Sequence, residues 1–292
     1  MRITVIGAGS WGTTVAALAA RRNPTVLWCR RPELATTINQ TAENPDYLPG
    51  HRLPYGLRAT ADLDEAVRGC ELLVMGVPSH GFRAVFESLA PSIAPALPIL
   101  SLTKGIEQGT MRRMTEVMAE TSPGHLTSRS GVLTGPNLAR EVMTGAPAAS
   151  VVAMEDEAAA SDIQEVLMDP TFRVYRNLDV VGCELAGALK NVMAIAAGMA
   201  KGLGFGQNTL AALITRALAE LTRLGTALGG HPETFAGLAG MGDLIATCQS
   251  DESRNNRVGM ALAQGRTLDQ IIEEMHMVAE GVKTVTPVLE LA

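Results

Sequence analysis

The chain has 292 residues, 47% of them hydrophobic and only 3% aromatic, with a formal net charge of −6. That length makes one large or two moderate domains, and the apolar content excludes wholesale disorder. Net acidity argues against a nucleic-acid binder, which needs a basic face, though not against a small local anion site. Cys29, Cys70, Cys183 and Cys248 have neither disulfide-framework nor metal-pair spacing and read as structural thiols of a reducing compartment. Met1-Arg2 passes straight into Ile3-Thr4-Val5-Ile6 with no apolar signal segment. The charge-free stretch Ser88–Thr103 is broken by Pro91, Pro95 and Pro98 and is too short to span a membrane. The expectation is a soluble cytoplasmic protein.

In chain order, the apolar run 3–6 predicts a strand and the small apolar residues 12–20 a helix. Further strands are predicted at Thr25–Cys29, Leu72–Val77, Ile99–Leu102, Val132–Thr134 and Ala148–Ala153. Between them, Asp62–Val67, His80–Leu89 and Met111–Glu120 read as helices. Such alternation predicts an α/β domain with a largely parallel sheet and helices on both faces. The texture changes near residue 180. Cys183–Ala200, Thr209–Leu224, Asn255–Ala263 and Leu268–Met275 all read as helices, so an all-helical second domain is expected from there.

Gly7-Ala8-Gly9-Ser10-Trp11-Gly12 is a G-x-G-x-x-G between the first strand and the first helix. Its glycines permit a tight turn, close approach to a pyrophosphate and close helix–sheet packing, and the helix N-terminus offers free N–H groups. An NAD-selective site places a carboxylate about 20 residues on. Here the second strand ends in Arg30-Arg31, and the first carboxylate is Glu33. Paired guanidiniums suit a 2′-phosphate, so NADP(H) is the expected cofactor, with NAD(H) second. Alternatively the two arginines stack on adenine or face solvent.

Three later strand ends carry distinctive chemistry: Val77-Pro78-Ser79-His80, Ser101-Leu102-Thr103-Lys104-Gly105 and Gly135-Pro136-Asn137. Lys104 is placed to meet an anion, or is a solvated turn lysine; His80 is a side candidate. Between Val180 and Ala200 the formal charges are Glu184 and Lys190, six residues apart and therefore not an i,i+4 pair. A lysine in so apolar a helix either snorkels or functions. A functional Lys190 polarises a carbonyl and protonates the developing alkoxide, with Asn191 beside it to orient it or the substrate. Asp243 opens an apolar helical run and reads as its N-cap or as a partner for Lys190. Arg254, in Ser253-Arg254-Asn255-Asn256-Arg257, is a bidentate phosphate fork or part of a polar loop. No metal-ligand motif or nucleophile elbow occurs, so no metal is expected.

The segments GAGSWGT at 7–13, ENPDYLPG at 43–50, VPSHGFR at 77–83, SLTKG at 101–105 and LTGPNLAREV at 133–142 resemble one family. GALKNVMAIAAG at 187–198, ALITRALAEL at 212–221, GLAGMGDLIATCQSDESRNNRVG at 237–259 and VAEGVKT at 278–284 extend the likeness over nearly the whole chain. The family is the NAD(P)-dependent sn-glycerol-3-phosphate dehydrogenases of the bacterial type. The resemblance implies a Rossmann-type domain, 1–182, and a helical substrate-binding domain, 183–292, with the active site between them. It implies interconversion of dihydroxyacetone phosphate and sn-glycerol 3-phosphate, the latter supplied to phospholipid synthesis. Lys190 would be the proton donor and acceptor, assisted by Asp243. Lys104, Gly135, Asn137, Ser253, Arg254 and Asn255 would complete the substrate site. Cofactor contacts would be Gly7, Gly9, Ser10, Trp11, Gly12, Arg30, Arg31, Lys104, Ala139, Arg254, Val278 and Glu280. A homodimer is expected. The nearest rivals are another two-domain dehydrogenase, acting on 3-hydroxy acids or ketopantoate, and an NADPH-binding protein without turnover.

Four features depart from the family pattern. Asn137 stands where Ser or Thr is usual, Leu210 where Lys is frequent, and Ala217 where Gly is usual. The sequence also stops at Ala292, sooner after VAEG than in relatives, so apolar surface of the helical domain is expected to be exposed or covered by a partner chain.

Overall fold

Every residue of the first strand is buried, the mark of a central strand covered on both faces. The computed structural model describes residues 1–275 and 279–291. Its first elements are β1 (Ile3–Ile6), α1 (Ser10–Ala20), β2 (Thr25–Trp28), α2 (Pro32–Thr41), β3 (Glu43–Asn44), β4 (Leu48–Arg52), β5 (Leu57–Thr60), α3 (Leu63–Val67), β6 (Leu72–Met75) and α4 (Ser79–Leu89). Then follow β7 (Ile99–Ser101), α5 (Met114–Thr121), β8 (Ser130–Thr134), α6 (Ala139–Met143), β9 (Ala148–Ala153), α7 (Glu157–Leu167) and β10 (Phe172–Asn177). The rest is helical: α8 (Val180–Gly202), α9 (Gln207–Ala227), α10 (Pro232–Ala236), a π-helical turn Leu238–Gly242, α11 (Asp243–Gln249), α12 (Arg254–Ala263), α13 (Leu268–Glu274) and α14 (Glu280–Leu291).

Among the described residues eight strands form one sheet, in the order β10-β9-β8-β7-β6-β1-β2-β5. Neighbours are parallel except β8 and β9, which run antiparallel, so the sheet is largely parallel as expected. The expected strands are all present. Four were not anticipated: β3 and β4, which pair antiparallel as a small separate sheet, and β5 and β10, which are the two edges of the large one. The two edge sequences, LRAT and FRVYRN, carry arginines because an edge strand meets water on one side, which hides the apolar signal. The helix expected from Met111 begins at Met114, since Met111 adopts the left-handed conformation with φ of 59°.

Period-two alternation divides the core between the two faces of the sheet. Ile3, Val5, Leu72 and Val74 pack with α1, α2 and α7 residues on one side. Ile6, Leu73, Met75 and Ile99 pack with Phe82, Phe86, Met114 and Met118 on the other. From β1 the sheet grows outward through β2 to β5; β6 then crosses to the other side of β1. The crevice beyond the carboxyl ends of β1 and β6 is therefore a topological switch point, where doubly wound sheets bind ligands.

Helix α8 is the axis of the helical part. It is long and apolar enough to cross a membrane by length and composition, but 78% of its apolar window is buried inside the protein, as in a core helix. It meets α12 backbone to backbone: a Cβ added at Gly198 would fall 2.0 Å from Asn256 O, and one at Gly259 2.0 Å from Ile195 O. The sheet ends at Asn177 and Asp179 caps α8, accepting from Gly182 N at 2.7 Å. The expected division between 182 and 183 falls within the first turn of this helix.

Candidate active site

The glycine loop after β1 has three different steric environments. Gly7 has φ of +115°, and a Cβ there would sit 2.6 Å from Gly76 O, at the end of β6. A Cβ at Gly12 would sit 2.0 Å from Gly7 O, so this glycine lets α1 lie against the turn. Gly9 has nothing within 4 Å of its Cβ position. It is the N-cap of α1 with no side-chain cap bond, so no side chain stands at this position between the helix start and a ligand. That open cradle is the arrangement a pyrophosphate requires. Asn44, from the ENPDYLPG segment, braces the loop by donating to Ala8 O at 2.9 Å and Thr13 Oγ1 at 2.8 Å. Ser10 Oγ donates to Tyr47 O at 2.8 Å. Trp11 packs 6.2 Å from Phe172, and its buried indole N–H has no partner among the described residues. Ala139 is brought to α1, where its carbonyl accepts weakly from Thr14 Oγ1 at 3.4 Å. At the end of β2, Arg31 pairs with Asp46, and Arg30 beside it is exposed.

Next to this loop lies a buried cluster built around one carboxylate. Asp243 Oδ1 accepts from Lys190 Nζ at 2.8 Å, and Oδ2 accepts from Lys104 Nζ at 2.7 Å. Their side chains are 3%, 7% and 16% exposed respectively. Lys104 Nζ also donates to Gly135 O at 3.0 Å and Asn137 Oδ1 at 2.8 Å, so all three of its donors are in use. A contact from Lys104 to any ligand must replace one of these bonds. Lys190 donates to Asp243 and to Thr247 Oγ1; Thr247 spends its own proton on Asp243 O at 2.7 Å. Among the described residues Lys190 thus uses two donors and keeps one. Two ammonium groups on one carboxylate leave the cluster positive when both are charged, which suits an anionic substrate. Burial, and secondarily Lys190, pull the Lys104 ammonium down to about 8 against the opposing effect of Asp243.

Asp243 does not N-cap α11. The helix follows directly on the π-helical turn, Gly242 holds the cap position without a side-chain bond, and the carboxylate turns to the two lysines. Glu184 is not paired with Lys190; it accepts from Arg113 and Thr115. The rest of the expected substrate set has structural duties. Ser253 caps α12, its Oγ accepting from Asn256 N at 3.3 Å. Asn255 donates to Asn191 Oδ1 at 2.9 Å and accepts from Gly281 N at 2.9 Å, tying α8, α12 and α14 together. Asn191 in turn donates to Lys104 O at 2.9 Å. Arg254 is exposed on the first turn of α12, yet desolvation by the protein around it lowers its guanidinium from the ordinary value, against the opposing charge of Glu280. Glu280 itself accepts from Ser79 N at 3.2 Å and Ser79 Oγ at 2.6 Å, at the start of α4. Val278 lies outside the described residues. His80 is exposed on α4.

Sequence reasoning missed Thr247, Ser79 and Asn44. Thr247 had a usable signal, since it lies one helical turn after Asp243. Ser79 and Asn44 had none beyond membership of motif segments. Cys248, next to Thr247, is buried, and burial pushes its thiol up to about 11, so it stays protonated. Among the described residues no cluster of His, Cys, Asp and Glu has metal-site geometry.

Residues 2–160 match the family described as NAD-dependent glycerol-3-phosphate dehydrogenase N-terminus, and residues 179–292 match its C-terminus counterpart. The chain is 54% identical over its whole length to glycerol-3-phosphate dehydrogenase (NAD(P)+) 2 of Sphingopyxis alaskensis, covering 87% of that protein. A Mycobacterium avium protein of corresponding name is 51% identical, again over the whole chain and 85% of its own length. Among solved structures, glycerol-3-phosphate dehydrogenase from Coxiella burnetii superposes with a TM-score of 0.95 at 37% identity, covering all of this chain and 89% of that one. A ketopantoate reductase from Ralstonia eutropha, at 16% identity and a TM-score of 0.57, shares the fold alone.

Proposed function

The chain belongs to the NAD-dependent glycerol-3-phosphate dehydrogenase family, and from that premise we propose that it interconverts dihydroxyacetone phosphate and sn-glycerol 3-phosphate with NAD(P)H. The observation that carries this reading is the pair Lys104 and Lys190 on the buried Asp243 carboxylate, beside a glycine loop open to a pyrophosphate. The nicotinamide, when bound, supplies the hydride to the ketone carbon. Negative charge then grows on the carbonyl oxygen, and Lys190, with a donor to spare, hydrogen-bonds that oxygen and protonates it. Solvent returns the proton to the lysine. In the reverse direction neutral Lys190 takes the alcohol proton. Asp243 and Thr247 hold the ammonium in place.

Lys104 contributes charge and position: it exchanges one of its three protein partners for the substrate. Gly135, Asn137, Ser253, Arg254 and Asn255 line the same site, with Arg254 as the fork for the phosphate. The loop residues Gly7, Gly9, Ser10, Trp11 and Gly12, together with Ala139, Val278 and Glu280, serve the cofactor. The orphan Trp11 indole N–H and the uncapped start of α1 supply donors for it. Arg31 is engaged by Asp46, so Arg30 is the guanidinium that receives a 2′-phosphate, which favours NADPH. The product feeds phospholipid assembly, the enzyme acts in the cytoplasm, and it works as a two-fold dimer, the commonest closed assembly. We divide the chain into a dinucleotide domain, 1–182, and a helical substrate domain, 183–292.

The test is NADPH oxidation by the purified chain, followed by absorbance, with and without dihydroxyacetone phosphate, alongside NADH and a Lys190→Ala variant. Oxidation that requires the phosphorylated ketone and collapses in the variant is expected. Equal NADPH oxidation with unphosphorylated keto acids as acceptors, or none by a chain that is folded by circular dichroism, would overturn the reading.

A further inference from the structure

Lys104 lies on a segment, 102–113, that forms no strand or helix of its own. Its sheet end is tied to Met75 O and Val77 O and its far end closes a turn of its own held by Arg83 on Glu107, while α8 runs beside the stretch that carries Lys104. Three contacts run along one side of that helix. At one end, Asn191 Nδ2 donates to Lys104 O at 2.9 Å. In the middle, Ile106, 1% exposed, packs with Leu185, Ala188 and Leu189. At the other end, the carboxylate of Glu184 accepts from Arg113 Nη1 at 2.6 Å, Thr115 N at 2.9 Å and Thr115 Oγ1 at 2.5 Å. Glu184 and Asn191 are seven residues apart, only about 20° apart around the helix. Gly187 lies between them, and a Cβ there would come within 3.4 Å of Lys104 Cγ. The helix that carries Lys190 therefore grips the Lys104 segment at both ends, with an apolar contact between.

Glu184 is a charged group, 8% exposed, that takes no part in the chemistry described above. Its three acceptor bonds end on the N-terminal turn of α5, which belongs to the sheet side of the molecule. Arg113, whose side chain is 19% exposed, is its ionic partner. We infer that Glu184 is a positioning residue: by clamping α8 to the start of α5 it sets the register of the Lys104 segment against Lys190, so that both ammonium groups reach Asp243. The inference rests on the proposed dehydrogenase reading for its kinetic consequence, but its structural half is independent of it. Misplacing a reacting group by an ångström costs up to about a hundredfold in rate even when the change is remote. A clamp that sets the spacing of two catalytic-site lysines therefore acts on kcat, not on cofactor affinity.

The experiment compares the full chain with Glu184→Gln, Arg113→Met and Arg113→Lys. Steady-state NADPH oxidation with dihydroxyacetone phosphate is measured across pH, with amide hydrogen exchange over 103–112 and thermal melting in parallel. The expected result is a loss of about tenfold or more in kcat for Glu184→Gln and Arg113→Met. The KM for NADPH stays within about twofold, and the pH at which the KM for the ketone changes is displaced. Arg113→Lys, which keeps the cation, recovers most of the rate. Exchange over 103–112 rises in the two broken variants. Lower melting temperature with unchanged kcat, unchanged pH profile and unchanged exchange in 103–112 would overturn the inference and leave Glu184 as a stability residue. If Glu184→Gln does not fold, Arg113→Met decides the matter by the same readouts. If the unmodified chain shows no turnover, the dehydrogenase reading fails, and the exchange data still decide whether the clamp holds the segment.

Discussion

In the loop after β1, six consecutive residues, Gly7 to Gly12, make the whole cradle, and each glycine's steric task is visible within the turn or against Gly76. Around Asp243, by contrast, Lys104, Gly135, Asn137 and Lys190 arrive from three other segments of the chain, and only Thr247 is local. The first site is backbone chemistry: a glycine turn and a helix start, with no side chain at the Gly9 position. The second is side-chain chemistry: opposite charges brought together in a dry interior. The contrast separates how the two regions respond to change. Damage to the loop should show as lost cofactor binding with the fold intact or lost fold, depending on which glycine is changed. Damage to the cluster should show as lost turnover with cofactor binding intact.

The largest expected effect is in the cluster. Lys190→Ala should lower kcat by about 10³-fold, the contribution of a general acid, while NADPH affinity measured by fluorescence titration stays unchanged. A parallel loss of NADPH binding would break the separation. Asp243→Asn should cost about 10²-fold in kcat/KM, because two facing ammonium groups lose the carboxylate that holds them; steady-state kinetics with both substrates varied reads this. In the loop, Gly9→Val should weaken NADPH binding by about tenfold or more with no change in melting temperature, since its side chain fills only the cradle. Gly12→Val should do the reverse, destabilising the fold by about 1–3 kcal/mol or more through its collision with Gly7 O. Identical thermal melts for the two variants would contradict the division of labour among the glycines. Arg30→Ala should narrow the preference for NADPH over NADH by about tenfold, the worth of one charge-assisted hydrogen bond to phosphate, read as the ratio of kcat/KM for the two cofactors. The smallest effect concerns pH. Lys104 is an ammonium below about 8 and loses its proton above it. The KM for the phosphorylated ketone should therefore rise a few-fold as pH climbs through that value, and Lys104→Arg, which stays charged, should flatten the rise.

Much of this was legible in the chain. Strands with uninterrupted apolar runs, such as Leu72–Met75, were read correctly because a strand buried on both faces needs nothing but apolar side chains. The edge strands β5 and β10 were hidden by Arg58, Arg173 and Arg176, which face outward there. Lys190 was conspicuous as a charge in an apolar helix. Asp243 was ambiguous, because an aspartate opening a helical run is far more often a cap. What removed the ambiguity was the π-helical turn Leu238–Gly242, whose geometry no simple periodicity announces.

Consecutive residues largely determined the phosphate cradle, with Asn44 and Gly76 bracing it from elsewhere in the chain. A strand, a glycine turn and a helix start are set by local sterics and backbone hydrogen bonding, and these depend on neighbours in sequence. The charge pairing of the cluster was decided only by the tertiary structure. Lys104 and Asp243 are 139 positions apart and Lys190 and Asp243 are 53 apart. Their meeting depends on how α8 packs against the sheet and against α11, because an electrostatic contact is a matter of ångströms in space and carries no signature along the chain.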